Sequence, residues 1–169
     1  PNDPRYPEMW GLNNTGQTGW TSDADIDAPE AWDISTGNSS MVVADIDTGL
    51  DLGHVDFAGN IYTNPGEIAG NGIDDDSNGY IDDVNGWDFA RDDNNPNEEA
   101  ICGGHGTHTA GTIGARGNNG VGVTGVNWNV KIMPLKIFKV YFVILCSASS
   151  ADIISAIDYA AMMGVRVSN

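Results

Sequence analysis

Apolar positions along the 169-residue chain fall into short blocks separated by long polar stretches. Residues 1 to 26 are polar and rich in Gly and Asn, with Trp10 and Trp20 as the main large anchors, and read as an irregular arm lying on a surface. Asp27 stands three residues before Glu30, with Pro29 in the first turn; this capping-box spacing predicts a short helix. Ser40 to Ile46 is a β-branched apolar run that stops at Asp47-Thr48-Gly49, the pattern of a buried strand ending in a turn. Asp45 interrupts that run. An unpaired buried carboxylate is costly, so either a partner faces it or the fold is weakened there.

A helix of small residues is predicted over about His105 to Ala115, a Gly/Asn turn at Gly117 to Gly120, and a strand over about Val130 to Ile137. A second helix spans roughly Ser150 to Met163, with Ser149 or Ser150 as N-cap, Ile153, Ile154, Ile157 and Ala161 on one face, and Gly164 as the stop. Val165 to Ser168 begins another strand. Elements alternating at these lengths predict an α/β fold: a three-layer parallel sheet with helices on both faces, truncated after the second main helix.

Charge narrows the partners. Seven Lys and Arg against 24 Asp and Glu give a formal charge of −17, which repels phosphate backbones and anionic lipid heads. Nucleic acid is therefore not an expected partner, and cations are. The longest apolar run, Val140 to Cys146, is far short of the roughly 20 residues a membrane span needs, so none is expected. Cys102 and Cys146 are too few for a disulfide scaffold and too far apart for a zinc knuckle; one bridge and two free thiols both remain open.

Two motifs carry candidate chemistry. Asp47-Thr48-Gly49 sits at the carboxyl end of a predicted strand, where open α/β sheets place reactive groups. The same triplet occurs in aspartic proteases, but those need two such carboxylates in an all-β fold, and one copy is present. Gly103 to Ala115, GGHGTHTAGTIGA, puts His105 in the first turn of a helix among small residues, open to a substrate and to a partner carboxylate. An imidazole oriented by an Asp through one nitrogen has the other free as a general base. His105 and His108 as metal ligands are the alternative, with no third ligand evident.

A third pattern lies between Asp74 and Glu99, where ten acidic residues meet one base, Arg91. Asp74, Asp76, Asn78 and Asp82, with Gly79 at the sixth position, follow the spacing by which calcium loops wrap a hard cation. Asn85 replaces the bidentate Glu at the twelfth position and no flanking helices are evident, so an EF-hand is not expected. A solvated acidic turn is the alternative reading.

Val42 to Phe57, GGHGTHTAGTIGA and Gly120 to Lys136 together resemble the subtilisin-like serine peptidases, or subtilases, and the N-terminal segments resemble the start of a mature catalytic domain in their calcium-dependent branch. The resemblance implies that residues 1–169 are the N-terminal part of one peptidase domain, with an acidic calcium-binding insertion at about 70–99. It implies a secreted, calcium-stabilised serine endopeptidase that cleaves polypeptides, is released from a propeptide, and is monomeric at full length. Asp47 matches the triad aspartate, His105 the triad histidine, and His108 a non-catalytic position. Asp3, Asp56 and Asn119, with Asn118 as the alternative, match a strong calcium site. Some relatives bridge the loops that hold Cys102 and Cys146.

The family's serine lies in a Gly-Thr-Ser motif, and its oxyanion donor is an Asn, both downstream of the last helix found here; neither motif occurs in these 169 residues. Ser147, Ser149 and Ser150 read as loop and cap residues. The chain alone is thus expected to be inactive, and unstable because a sheet edge is left uncovered. Lys139 to Ser150, KVYFVILCSASS, replaces a polar cleft-lining loop with an apolar, β-prone run, an aggregation hazard if exposed. A catalytically silent calcium-binding relative is the first rival reading, and an aspartic or metal hydrolase the second.

Overall fold

The structure, a computed structural model, describes residues 1–142 and 145–169. Its organising element is strand β1, Gly37–Asp47, longer at its start than the apolar run predicts, because Gly37 pairs with Asn129 before the register shifts. Strands β2, Trp87–Asp88, β3, Asn129–Lys136, and β6, Val167–Ser168, join β1 in a parallel sheet of order β2-β3-β1-β6. Alternation along β1 sends successive side chains to opposite faces, and each face meets a different helix.

Helix α2, His105–Gly114, covers the face that carries Val43, Val130 and Ile132, with Leu50, Phe57 and Ala110 completing that cluster. Helix α3, Ser150–Met162, covers the face with Ala44, Met133 and Leu135, and contributes Ala156, Tyr159 and Ala160. Helices on both faces of a parallel sheet are the predicted architecture. Each fully buried Leu or Ile contributes about 1.5–3 kcal/mol. The Ser149 side chain caps α3 by accepting from the Asp152 N–H, and Gly164 follows with a φ of +72°.

Several local expectations are corrected. Trp10 and Trp20 do not anchor the N-terminal arm: they are 54% and 79% exposed, and Leu12, Asn14 and Asp3 are buried instead. Helix α1, Ala28–Trp32, forms without the capping box. The Asp27 N–H that Glu30 would reach is taken by the Asp25 carboxylate at 2.7 Å. On α3, the buried stripe is Ala156, Tyr159 and Ala160, while Ile153, Ile154 and Ile157 face outward. Small residues permit the close approach that lets Tyr159 fill the interior.

The run after β3 forms an antiparallel pair, β4, Phe138–Tyr141, with β5, Leu145–Ala148. Phe138 and Ala148 pack against the α3-side core. Val143 and Ile144, within the apolar run singled out above, lie outside the described residues. Cys146 on β5 is bridged to Cys102, which lies in a short 3-10 turn, Ala100–Cys102. The bridge is thus formed, and it ties the β4–β5 pair to the segment that enters α2. The acidic insertion is pinned to α3: the Tyr159 hydroxyl donates to Asp83, a buried carboxylate, and Tyr80 and Phe89 pack edge-on against the Tyr159 ring.

Candidate active site

Asp47 is the last residue of β1 and His105 the first of α2, so the meeting of a strand end and a helix start defines the site. Two glycines permit that meeting. A Cβ on Gly106 would lie 2.1 Å from the Gly49 carbonyl oxygen, and Gly49 itself has a φ of +103°. Only residues without side chains fit there.

The His105 ring sits with Nδ1 2.7 and 2.8 Å from the two Asp47 oxygens. A carboxylate accepts hydrogen bonds, so Nδ1 carries the hydrogen and Nε2 of the neutral ring is left with a free lone pair. Asp47 is buried while the His105 side chain is 67% exposed, which anchors one end of the pair and opens the other to a substrate. The Asp47 contact raises the pKa of His105 above the usual 6.5, since the acceptor favours the imidazolium. Asp47 is itself fixed by the Thr48 N–H at 2.6 Å and lies 3.3 Å from the Thr109 hydroxyl.

Thr48, Glu98 and Thr109 were not singled out by sequence reasoning. The Thr48 hydroxyl accepts the Gly106 N–H at 2.8 Å and donates to Glu98 at 2.8 Å. Glu98 also accepts from the Thr107 N–H at 3.2 Å and from the Thr107 hydroxyl. Free N–H groups at the start of α2 are thus satisfied by an acceptor and a carboxylate, which suits the positive end of a helix. Thr48 was legible only as a letter of the Asp47 triplet; Glu98, one of ten clustered acids, carried no distinguishing signal. His108 lines a separate cavity of about 520 Å³ with His54, Asp51 and Phe57, and neither Asp47 nor His105 borders it. Among the described residues no third ligand joins His105 and His108.

The other sequence-selected residues fall into two places. Asp3, Asp56 and Asn119 come together: the Asn119 backbone N–H donates to Asp3 at 3.1 Å and its side-chain amide to Asp56 at 3.0 Å. The Asn118 and Val123 N–H groups complete the set at 2.8 Å each. Both carboxylates are buried, and among the described residues no cationic side chain pairs with either.

In the insertion, oxygens of Glu67, Asp76 and Asp83 lie within 4.8 Å of one another. Asp76 alone of the four spaced residues belongs to that group. Asp74 turns to the Asn78 and Gly79 N–H groups, and Asp82 to those of Gly70, Asn71 and Gly72. Asn78 directs its amide nitrogen to Asp76 and Asp83. Asp83 adjoins a spaced position and Glu67 precedes the acidic run, so alternate-position counting passed over both.

Comparisons place this arrangement among known proteins. The subtilase family pattern matches residues 38–169. A cell wall-associated protease of Bacillus subtilis (strain 168) is 32% identical over 99% of the chain, which spans 16% of that protein. An extracellular protease of Xanthomonas campestris pv. campestris is 34% identical over 95% of the chain, covering 26% of its own length. A solved structure of a protease from Pseudoalteromonas arctica PAMC 21717 superposes with a TM-score of 0.65 at 28% identity, over 99% of this chain and 45% of that one. The chain therefore spans less than half the length of these relatives. With the matched pattern covering most of its residues, and Asp47 and His105 held in contact within it, the chain belongs to the subtilase family.

Proposed function

We propose that the chain supplies the Asp and His of a serine endopeptidase, Asp47 and His105, and works with a serine and an oxyanion donor outside these 169 residues. The contact between Asp47 and His105 Nδ1, with Nε2 exposed, carries this reading. Nε2 takes the proton from the serine hydroxyl as it attacks a peptide carbonyl, and returns it to the leaving amine. Asp47 holds the tautomer and stabilises the imidazolium. The names of the relatives support an extracellular or cell-wall location, and no helix of the described residues is long and apolar enough to cross a membrane.

Calcium suits two places on physical grounds. Asp3 and Asp56 are buried carboxylates without a cationic partner among the described residues, and a hard cation held by their oxygens would neutralise them. Glu67, Asp76 and Asp83 offer a second oxygen set. Calcium supplies charge neutralisation and cross-linking there, not chemistry on the substrate. The test is hydrolysis of an unstructured polypeptide by the full-length protein. Activity abolished by a serine-directed reagent and by His105→Ala supports the reading; activity that survives both, or is blocked by a pepstatin-type inhibitor, overturns it.

A further inference from the structure

We propose that Asp45 is a second carboxylate of the same site, a positioning residue that acts on His105 through the Thr109 hydroxyl and Asp47. The proposal rests on the serine-peptidase reading and adds to it. Asp45 and Asp47 stand two apart on β1, so both face α2, where Thr109 lies one turn after His105. Asp45 is 1% exposed and interrupts an otherwise apolar strand run.

Hydrogen counting gives the mechanism. Asp45 Oδ1 accepts from the Asn169 side-chain amide at 3.1 Å, whereas among the described residues Oδ2 meets only the Thr109 hydroxyl, at 3.4 Å. That hydroxyl also lies 3.3 Å from Asp47 Oδ2, 3.2 Å from the His105 carbonyl and 3.0 Å from the Gly106 carbonyl. It has one hydrogen for four acceptors. A protonated Asp45 supplies the missing hydrogen: its Oδ2–H donates to Thr109, and the Thr109 hydrogen is directed to Asp47 Oδ2. The chain of donors then ends on the carboxylate that holds the catalytic ring. Loss of the Asp45 proton leaves two carboxylates competing for one hydroxyl hydrogen and adds a second negative charge behind His105.

The titratable groups facing Asp45 are Asp47 on its own strand and His105 on α2; Thr109 on α2 and Asn169 beyond β6 are polar, and Pro134 opposite it on β3 carries no ionisable group. Burial, opposed by the Asn169 bond, pushes Asp45 up to about 6. The negative form raises the proton affinity of the ring, so neutral imidazole appears at higher pH than an aliphatic residue at this position would give.

The pH dependence of kcat/KM is measured for the full-length protein and for Asp45→Asn, Asp45→Val and Thr109→Val. The midpoint of the acid limb is expected to move to lower pH by roughly half a pH unit in both Asp45 variants. Thr109→Val, which keeps the charge and breaks the link, is expected to lower kcat about fivefold with KM unchanged. Carboxyl carbon NMR reads Asp45 directly, with a midpoint near 6 that disappears in Asp45→Asn; that near-isosteric variant carries the test if Asp45→Val does not fold. Acid limbs superimposable on the parent's, or an Asp45 midpoint at an ordinary carboxylate value, overturn the proposal. Undiminished hydrolysis by His105→Ala overturns the serine-peptidase reading instead.

Discussion

Both oxygens of Asp47 face one nitrogen of His105, and in the proposed mechanism this contact sets the pH range of the chemistry. Its acceptor role raises the pKa of His105, and a general base must be neutral to act. Activity should therefore rise with pH through a midpoint above 6.5, the ordinary imidazole value. Asp47→Asn removes the cause of the shift: it should lower that midpoint and reduce kcat by about 10⁴-fold by favouring the wrong tautomer. An unshifted acid limb in Asp47→Asn would show that the carboxylate does not govern the ring. Asp47 and His105 were legible in the sequence because each ends or begins an element at a Gly-flanked motif. Thr109 and Glu98 were not, since their roles depend on how α2 docks on the sheet, a relation no local pattern carries.

At the scale of elements, the start of α2 is pressed against the end of β1 at Gly106. A Cβ there would meet backbone, which cannot move aside as a side-chain tip can. Gly106→Ala should therefore displace His105 from Asp47 and lower kcat by at least about 10²-fold, as expected of a misplacement near 1 Å. Wild-type kinetics in that variant would contradict the docking geometry. The Cys102–Cys146 bridge closes a separation of 44 residues that contains α2 and β3, and chain-entropy reasoning assigns it about 4 kcal/mol. Replacing both cysteines by serine should lower the denaturant midpoint of the full-length protein, and an unchanged midpoint would show that the bridge does not stabilise the fold. Strand β1, both main helices and β3 were readable from period and punctuation. The capping box failed because Asp25 competes for the same N–H, and the α3 stripe was misread because small residues, not the isoleucines, allow close packing. Strand β2 has two residues, too few for any pattern.

Across the whole molecule, the charge of −17 has a distribution that length and composition cannot express. Asp3 and Asp56 are drawn inward around Asn119, and Asp83 is buried within the insertion. Such groups need a compensating charge. If calcium provides it, saturating ion should raise the melting temperature of the full-length protein by roughly 5 to 10 °C over chelated protein. Asp56→Asn should remove much of that difference, and melting indifferent to calcium in both proteins would refute the assignment. The parallel sheet and its two helical faces were legible from alternating elements, whereas the pairing of residues 3, 56 and 119 required the resemblance. The central claim is that Asp47 and His105 activate a serine elsewhere in the full-length protein. Labelling by a serine-directed fluorophosphonate tests it most directly. Rapid labelling of one serine outside residues 1–169 is expected, slowed by about 10⁶-fold in His105→Ala. Equal labelling of the His105→Ala variant, or proteolysis by a protein that takes no label, would contradict it.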